Sequence, residues 1–144
     1  MRIQVGLALA IASAVLVGGA VGQDDPIAAR QAIMKANNSA TRDAFGMASG
    51  KTPYDAAAAA AHMSKIASDM ETFVTLFPEG SDQGDTEASP AIWQNMDDFK
   101  ALAAKLAADA KAAADAAPGG IEAFKAALNA VGGDCQACHQ KYRM

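Results

Sequence analysis

The sequence predicts an all-α protein, an antiparallel four-helix bundle, on three observations. Alanine, the strongest helix former, is very frequent and β-branched residues are sparse. No segment alternates apolar with polar residues at period two, the pattern of a half-buried strand. Proline and glycine fall at intervals that separate four stretches of helical apolar periodicity.

The first helix takes Asp24 or Asp25 as its N-cap and Pro26 as its first position, and runs to about Ser49, where Gly50 stops it. Ile27, Met34, Thr41 and Ala48 recur every seven residues, with Arg30, Asn37 and Phe45 near the intermediate positions. Arginine and asparagine on an inward stripe indicate that this helix faces something polar as well as apolar. The second helix opens on Thr52-Pro53-Tyr54-Asp55, which reads as a threonine cap, a proline at the first position and an acidic third position like a capping box. Its stripe is Ala59, Met63, Ile66, Met70, Phe73 and Phe77, ended by Pro78 and Gly80. The alanines from Ala56 to Ala61 are helix formers whose small size lets a neighbouring helix approach, within the bundle or in a second subunit.

Residues 79–89 form a long polar, acidic loop, long enough to join helices that are not adjacent antiparallel neighbours. Ser89 and Pro90 cap the third helix. Its stripe is Ile92, Met96, Phe99, Ala103, Leu106 and Ala110, with the single tryptophan, Trp93, beside it, and Pro118-Gly119-Gly120 ends it near Ala117. The fourth helix is the most regular. Ile121, Phe124, Leu128, Val131, Cys135, Cys138 and Tyr142 follow unbroken 3-4 spacing, a bundle seam that puts both cysteines on the core face. Gly132 and Gly133 each cost about 1 kcal/mol of helix propensity, which close approach of the backbone to a flat macrocycle would explain.

Met1-Arg2 leads into a mostly apolar run from Gly6 to Val17 and a small-residue tail ending at Gly22, the form of a secretory signal peptide over residues 1–22. The run falls short of the roughly 20 apolar residues that a membrane span needs. Residues 23–144 then form one domain with one core, destined for the periplasm. Without Arg2 this part has 11 basic and 16 acidic residues, a net charge of −5. It lacks a basic patch or an aromatic-rich basic run, which argues against nucleic acid as a partner and favours basic redox partner proteins.

The two cysteines of the chain stand in Cys135-Gln136-Ala137-Cys138-His139. Two thiols at i and i+3 lie on one helix face, and the histidine at i+4 stays on that side. A disulfide, a thioredoxin-like redox pair and half a zinc site are the competing readings. A redox pair wants a βαβ neighbourhood, which is absent from the pattern, and zinc wants a fourth ligand where His62 is the one histidine left. The adjacent histidine favours covalent attachment of one haem c: both thiols add to the porphyrin vinyl groups and His139 ligates iron. The chain carries no Ser-His-Asp set, phosphate loop or carboxylate–histidine cluster, so it does not read as an enzyme.

With this motif at the C-terminus of a four-helix chain, the sequence resembles the class II c-type cytochromes, cytochrome c prime and its low-spin relatives. The resemblance is carried by Arg30-Gln31-Ala32-Ile33-Met34, by Lys51-Thr52-Pro53-Tyr54-Asp55 and by Phe77-Pro78-Glu79-Gly80. It extends through Thr86 to Trp93 and through Gly132-Gly133-Asp134 into the haem motif. It implies that Arg30 and Gln31, with Thr86 and Glu87 of the loop, meet the haem propionates, and that Arg143 stands beside the proximal face. It also implies that Met34 is the distal residue, either bonding iron as a sixth ligand or only crowding an open site; Met63, Met70 and Met96 are expected in the core. The first case describes an exported soluble carrier of single electrons, the second a five-coordinate protein that binds nitric oxide or carbon monoxide. A homodimer through the small-residue faces of the first and second helices is a further expectation.

Overall fold

The computed structural model describes residues 25–144, and the export leader expected over residues 1–22 lies outside them. The expected bundle is present. Four long helices, α1 (Pro26–Ala48), α2 (Ala56–Phe73), α4 (Met96–Ala116) and α5 (Ile121–Tyr142), surround one core, and a single-turn helix α3 (Ala91–Gln94) precedes α4. Among the described residues, β structure is limited to one isolated antiparallel bridge between Ala88 and Arg143. Helix α2 packs most extensively on α4 and α4 on α5, α1 packs less on α2, and α1 packs least on α5. The weak α1–α5 contact is where the bundle opens.

The α1 boundary follows the sequence closely: the Asp25 carboxylate accepts from the Ile27 amide at 2.9 Å, with Pro26 at the first position. Helix α2 starts later than expected. Thr52-Pro53-Tyr54 stays outside the helix and Asp55 is the cap, accepting from the Ala58 amide at 2.9 Å. Aspartate caps better than threonine, and Tyr54 is held elsewhere. Its hydroxyl donates to the Ala117 carbonyl at 2.7 Å and its ring packs 5.8 Å from that of Phe124.

The expected third helix is two helices. Asn95, at φ −137° and ψ 45°, ends α3 and begins α4, its side-chain amide donating to the Ala91 carbonyl at 3.1 Å. Asparagine competes for backbone hydrogen bonds and so favours such junctions. The break re-aims the chain so that Ile92 and Phe99 both stay buried.

Side-chain size is sorted along the bundle axis. At one end small residues dominate the helix faces: Ala59, Ala110, Ala113 and Ala117 are fully buried. The inward members of the 56–61 alanine run thus serve packing within the bundle. At the other end aromatic rings meet edge to face, Phe77 at 4.7 Å from Phe99 and Phe99 at 5.4 Å from Tyr142. On α5 the 3-4 seam is realised. Phe124, Leu128 and Val131 are fully buried, each contributing about 1.5–3 kcal/mol, while Cys135 and Cys138 on the same stripe are half-buried because they face a cavity. Gly132 makes room among the chain's own atoms for Phe45 of α1: a Cβ there would lie 3.1 Å from the ring. Phe45 is what the chain itself places against Gly132, and a Cβ on Gly133 would meet no other atom of the chain within 4 Å.

The reassigned cap gives a direct test. Asp55→Ala is expected to cost about 0.5–2 kcal/mol of unfolding free energy, whereas Thr52→Ala stays within about 0.5 kcal/mol. Chemical denaturation of the two variants measures both, and equal losses would return the cap to Thr52.

Candidate functional site

Between α1 and α5, at the aromatic end, lies a cavity of about 810 Å³. All four long helices and the 79–89 loop wall it. Its α5 wall holds Cys135, Cys138 and His139. The expected juxtaposition of two thiols and an imidazole on one cavity is therefore present. Burial pushes both thiols up from their usual range, with the Asp134 charge adding to the shift at Cys135 and the Cys135 and Asp98 charges at Cys138. His139 is shifted the other way. Partial burial and the neighbouring Arg143 cation lower its pKa, and Glu87 opposes them. A lowered pKa keeps the imidazole neutral at physiological pH, the form that ligates metal.

The α1 wall carries Arg30, Met34, Asn37 and Thr41, at i, i+4, i+7 and i+11, one helical stripe. Arg30 is only 4% exposed. Its guanidinium donates to the Leu76 carbonyl (3.1 Å), the Ser81 hydroxyl (2.9 Å) and carbonyl (2.8 Å), and the Thr86 hydroxyl (3.1 Å), and it stacks 4.6 Å from the Phe77 ring centroid. Burial lowers its pKa and Asp25 partly restores it, but arginine stays charged regardless. Arg30 makes no ion pair among the described residues. It is a buried cation whose hydrogen bonds all go to neutral oxygens.

Gln31, Thr86 and Glu87 also stand on the cavity wall, and each has a partner within the chain. The Gln31 side-chain amide donates to the Asp85 carbonyl at 2.8 Å. Thr86 accepts from Arg30 and from the Ala88 amide, both at 3.1 Å. Glu87 accepts from Arg143 Nε at 2.6 Å, four residues after His139. The loop is then tied to the end of α5 by backbone bonds from Ser89 to Tyr142 and from Met144 to Glu87, both 2.9 Å. His62 is not on the wall. Met70, expected in the core, is buried and reaches the wall as well.

Some of the machinery was not legible beforehand. Ser81 is buried and receives two of the Arg30 bonds, yet a serine in an acidic loop carries no signal of it. Asp134 is buried next to Cys135, bound at 2.6 Å to Lys105, which also holds Asp109 at 2.6 Å and so ties α4 to α5. Its second oxygen has no partner, and burial raises its pKa. Asn37 is the other orphan. Its amide nitrogen reaches only the Met70 sulfur, at 3.8 Å, and its buried carbonyl oxygen has no partner, which costs about 1–3 kcal/mol when nothing fills the gap.

These residues fit a covalently held, flat, largely apolar group with anionic edges. The cavity lies within the roughly 300–1,000 Å³ range of small-molecule and cofactor sites, its aromatic walls are apolar, and a buried cation without an anion stands at one rim. Fold and site together define a helical-bundle c-type cytochrome. The family model described as Cytochrome C' matches residues 25–143, and the chain belongs to that family. Its cofactor is accordingly a covalently bound haem c. The chain is 40% identical over 115 residues to the "Cytochrome c-556" of Agrobacterium tumefaciens (strain II Chrys), covering 80% of this chain and 93% of that one. It superposes on cytochrome c' from Rhodopseudomonas palustris with a TM-score of 0.80 at 37% identity, over 85% of this chain and 98% of the other. A nitric oxide complex of a mutant cytochrome c prime from Alcaligenes xylosoxidans superposes at 0.75, with 28% identity, over 83% and 93%.

Two predictions follow from the polar groups. Arg30→Ala is expected to cost about 2 kcal/mol or more and to speed amide hydrogen exchange across residues 79–89; unchanged protection there would mean that Arg30 does not hold the loop. For Asp134 the folded pKa lies above the unfolded one, so its contribution favours the fold below the unfolded pKa and fades as pH rises through the folded value. Asp134→Asn should therefore gain stability relative to the parent between about pH 3 and about pH 7, measured by denaturant unfolding at both ends. A difference that is flat with pH would contradict the raised pKa.

Proposed function

We propose that the chain is an exported, periplasmic carrier of single electrons, its haem attached through Cys135 and Cys138, ligated by His139 and closed on the other side by the Met34 thioether. The observation that carries this reading is that these four side chains, three from α5 and one from α1, line one cavity. Haem iron supplies a one-electron couple whose potential depends on its axial ligands and burial. The chain's residues fix the rest. The lowered pKa of His139 keeps its ligating nitrogen unprotonated, and Arg143, held by Glu87, stays beside it. Arg30, Gln31 and Thr86 form the rim where carboxylates meet a buried positive charge, guanidinium being well suited to such partners. Phe73, Phe77 and Phe99 exclude water from the same space.

The role is carriage, not catalysis, with redox proteins as partners. Export is supported by the form of residues 1–22 and by the covalent joining of thiols to haem, which in bacteria is done outside the cytoplasm. A homodimer through α1 and α2 is supported by the small, outward-facing Ala57 and Ala61. A second reading, binding of nitric oxide or carbon monoxide where Met34 only crowds the site, is favoured by the nitric oxide complex of the related protein.

The optical spectrum of the reduced, haem-loaded protein before and after carbon monoxide separates the two. Sharp, split bands that ignore the gas are expected, and Met34→Ala should turn them into a broad high-spin spectrum that responds to it. A gas-sensitive high-spin spectrum in the parent protein would establish the open site instead. His139→Ala is expected to abolish the normal Soret and redox signals; an unchanged Soret would refute the assignment of the axial histidine.

A further inference from the structure

Asp134 is the one buried carboxylate among the described residues, at 9% exposure. One of its oxygens takes the Lys105 ammonium at 2.6 Å, and the other is buried with no partner. The same ammonium holds Asp109 at 2.6 Å, so a single exposed cation serves two carboxylates. Lys105 and Asp109, both on α4, are the charged groups that act on Asp134, and none from α1 or α2 joins them. As a tie between helices this is costly, because an ionised carboxylate with one buried oxygen unmet loses more than an exposed lysine returns. As a group that binds and releases a proton it is well placed. Burial and Asp109 favour its neutral form, and Lys105 opposes them. Its position gives that proton a second effect. Asp134 directly precedes Cys135, and its charge is felt at that half-buried sulfur on the cavity wall. Charges so close and so poorly screened act on whatever charge the cavity holds.

We propose that Asp134 is a proton-binding site coupled to the haem, so that the protein takes up part of a proton with each electron and returns it when the electron leaves. Ferric haem carries one positive charge more than ferrous haem. An ionised Asp134 therefore favours the ferric state, and reduction in turn favours the protonated carboxyl, as linkage requires. The electron comes from the redox partner protein, the proton comes from water and binds a carboxylate oxygen of Asp134, and no bond of the cofactor changes. Asp109, on the same ammonium and with a side chain 31% exposed, links the buried carboxyl to solvent. The inference deepens the carrier reading and rests on the haem being held at Cys135; it does not depend on which side chain closes the far side of the iron.

The test is potentiometry of the haem-loaded protein from about pH 4, the ordinary carboxylate value, to about pH 8. In the parent the midpoint potential should fall through a step as pH rises, the electron affinity changing by up to about tenfold, or about 59 mV for a one-electron couple. Asp134→Asn should remove that step and hold the potential at its acid-side value. Asp109→Asn should move the step to lower pH and Lys105→Met to higher pH, since the first removes a like charge and the second the cation. Those opposite shifts test the site even where Asp134→Asn fails to load haem. Reduced-minus-oxidised infrared spectra should show a protonated carboxyl band over the same pH range, absent from Asp134→Asn. A normal Soret band with an unchanged pH profile and infrared difference in Asp134→Asn would overturn this inference alone. A parent chain that holds no redox-active haem would overturn the carrier reading along with it.

Discussion

The rest of the site depends on one buried guanidinium. Arg30 reaches from α1 to the end of α2 and to both ends of the loop that follows, and its bonds to Leu76, Ser81 and Thr86 turn an acidic, glycine-containing segment into a wall. Without that wall the α1–α5 opening would be a cleft. A buried charge is retained where its desolvation is offset, and here neutral oxygens and the Phe77 ring offset part of it. On the proposed reading the remainder would be met by the anionic edge of the haem. One residue would then couple loop folding to cofactor seating.

How much could be read from the sequence depended on the range of the determining contacts. The α5 seam was fully legible, since a 3-4 repeat of apolar residues states which face is buried and the cysteines lie in phase with it. The haem motif was legible because its chemistry needs fixed spacing. The cap of α2 was misplaced because Thr52 and Asp55 both satisfy the local rule, and the choice is made by Tyr54 bonding to Ala117, more than sixty residues away. The Asn95 break escaped for a similar reason: the apolar phase continues through it, and only the junction's own hydrogen bonds show that the helix stops. Arg30 and Asn37 were visible as polar residues on an inward stripe, but their partners were not. Ser81 and Asp134, set by tertiary contact alone, left no mark.

The position of the cavity follows from the sorting of side chains along the bundle. Alanines at one end let α2 and α4 close on each other, as small residues do when they set interaxial distance. Phenylalanines and Tyr142 at the other end are too large for such closure and pack instead as an edge-to-face cluster. Tyr142 donates to the Asp98 carboxylate, which also holds Lys141 at 2.7 Å, so the end of α5 is pinned to the start of α4 beside the opening. With α5 held against α4 and α1 held to the loop, the space between α1 and α5 is the part that the chain's own side chains do not fill. Two of the walls beside the opening are then tied down by hydrogen bonds: α5, which carries the thiols and His139, and the loop, which carries the partner of Arg143. The third is the stripe of α1. It carries the Met34 thioether, with Asn37 buried one turn beyond it. A thioether is a soft, neutral group on a flexible stem, so on the proposed reading the placement of α1 against α5 would set how firmly Met34 holds the iron, and with it the potential of the one-electron couple.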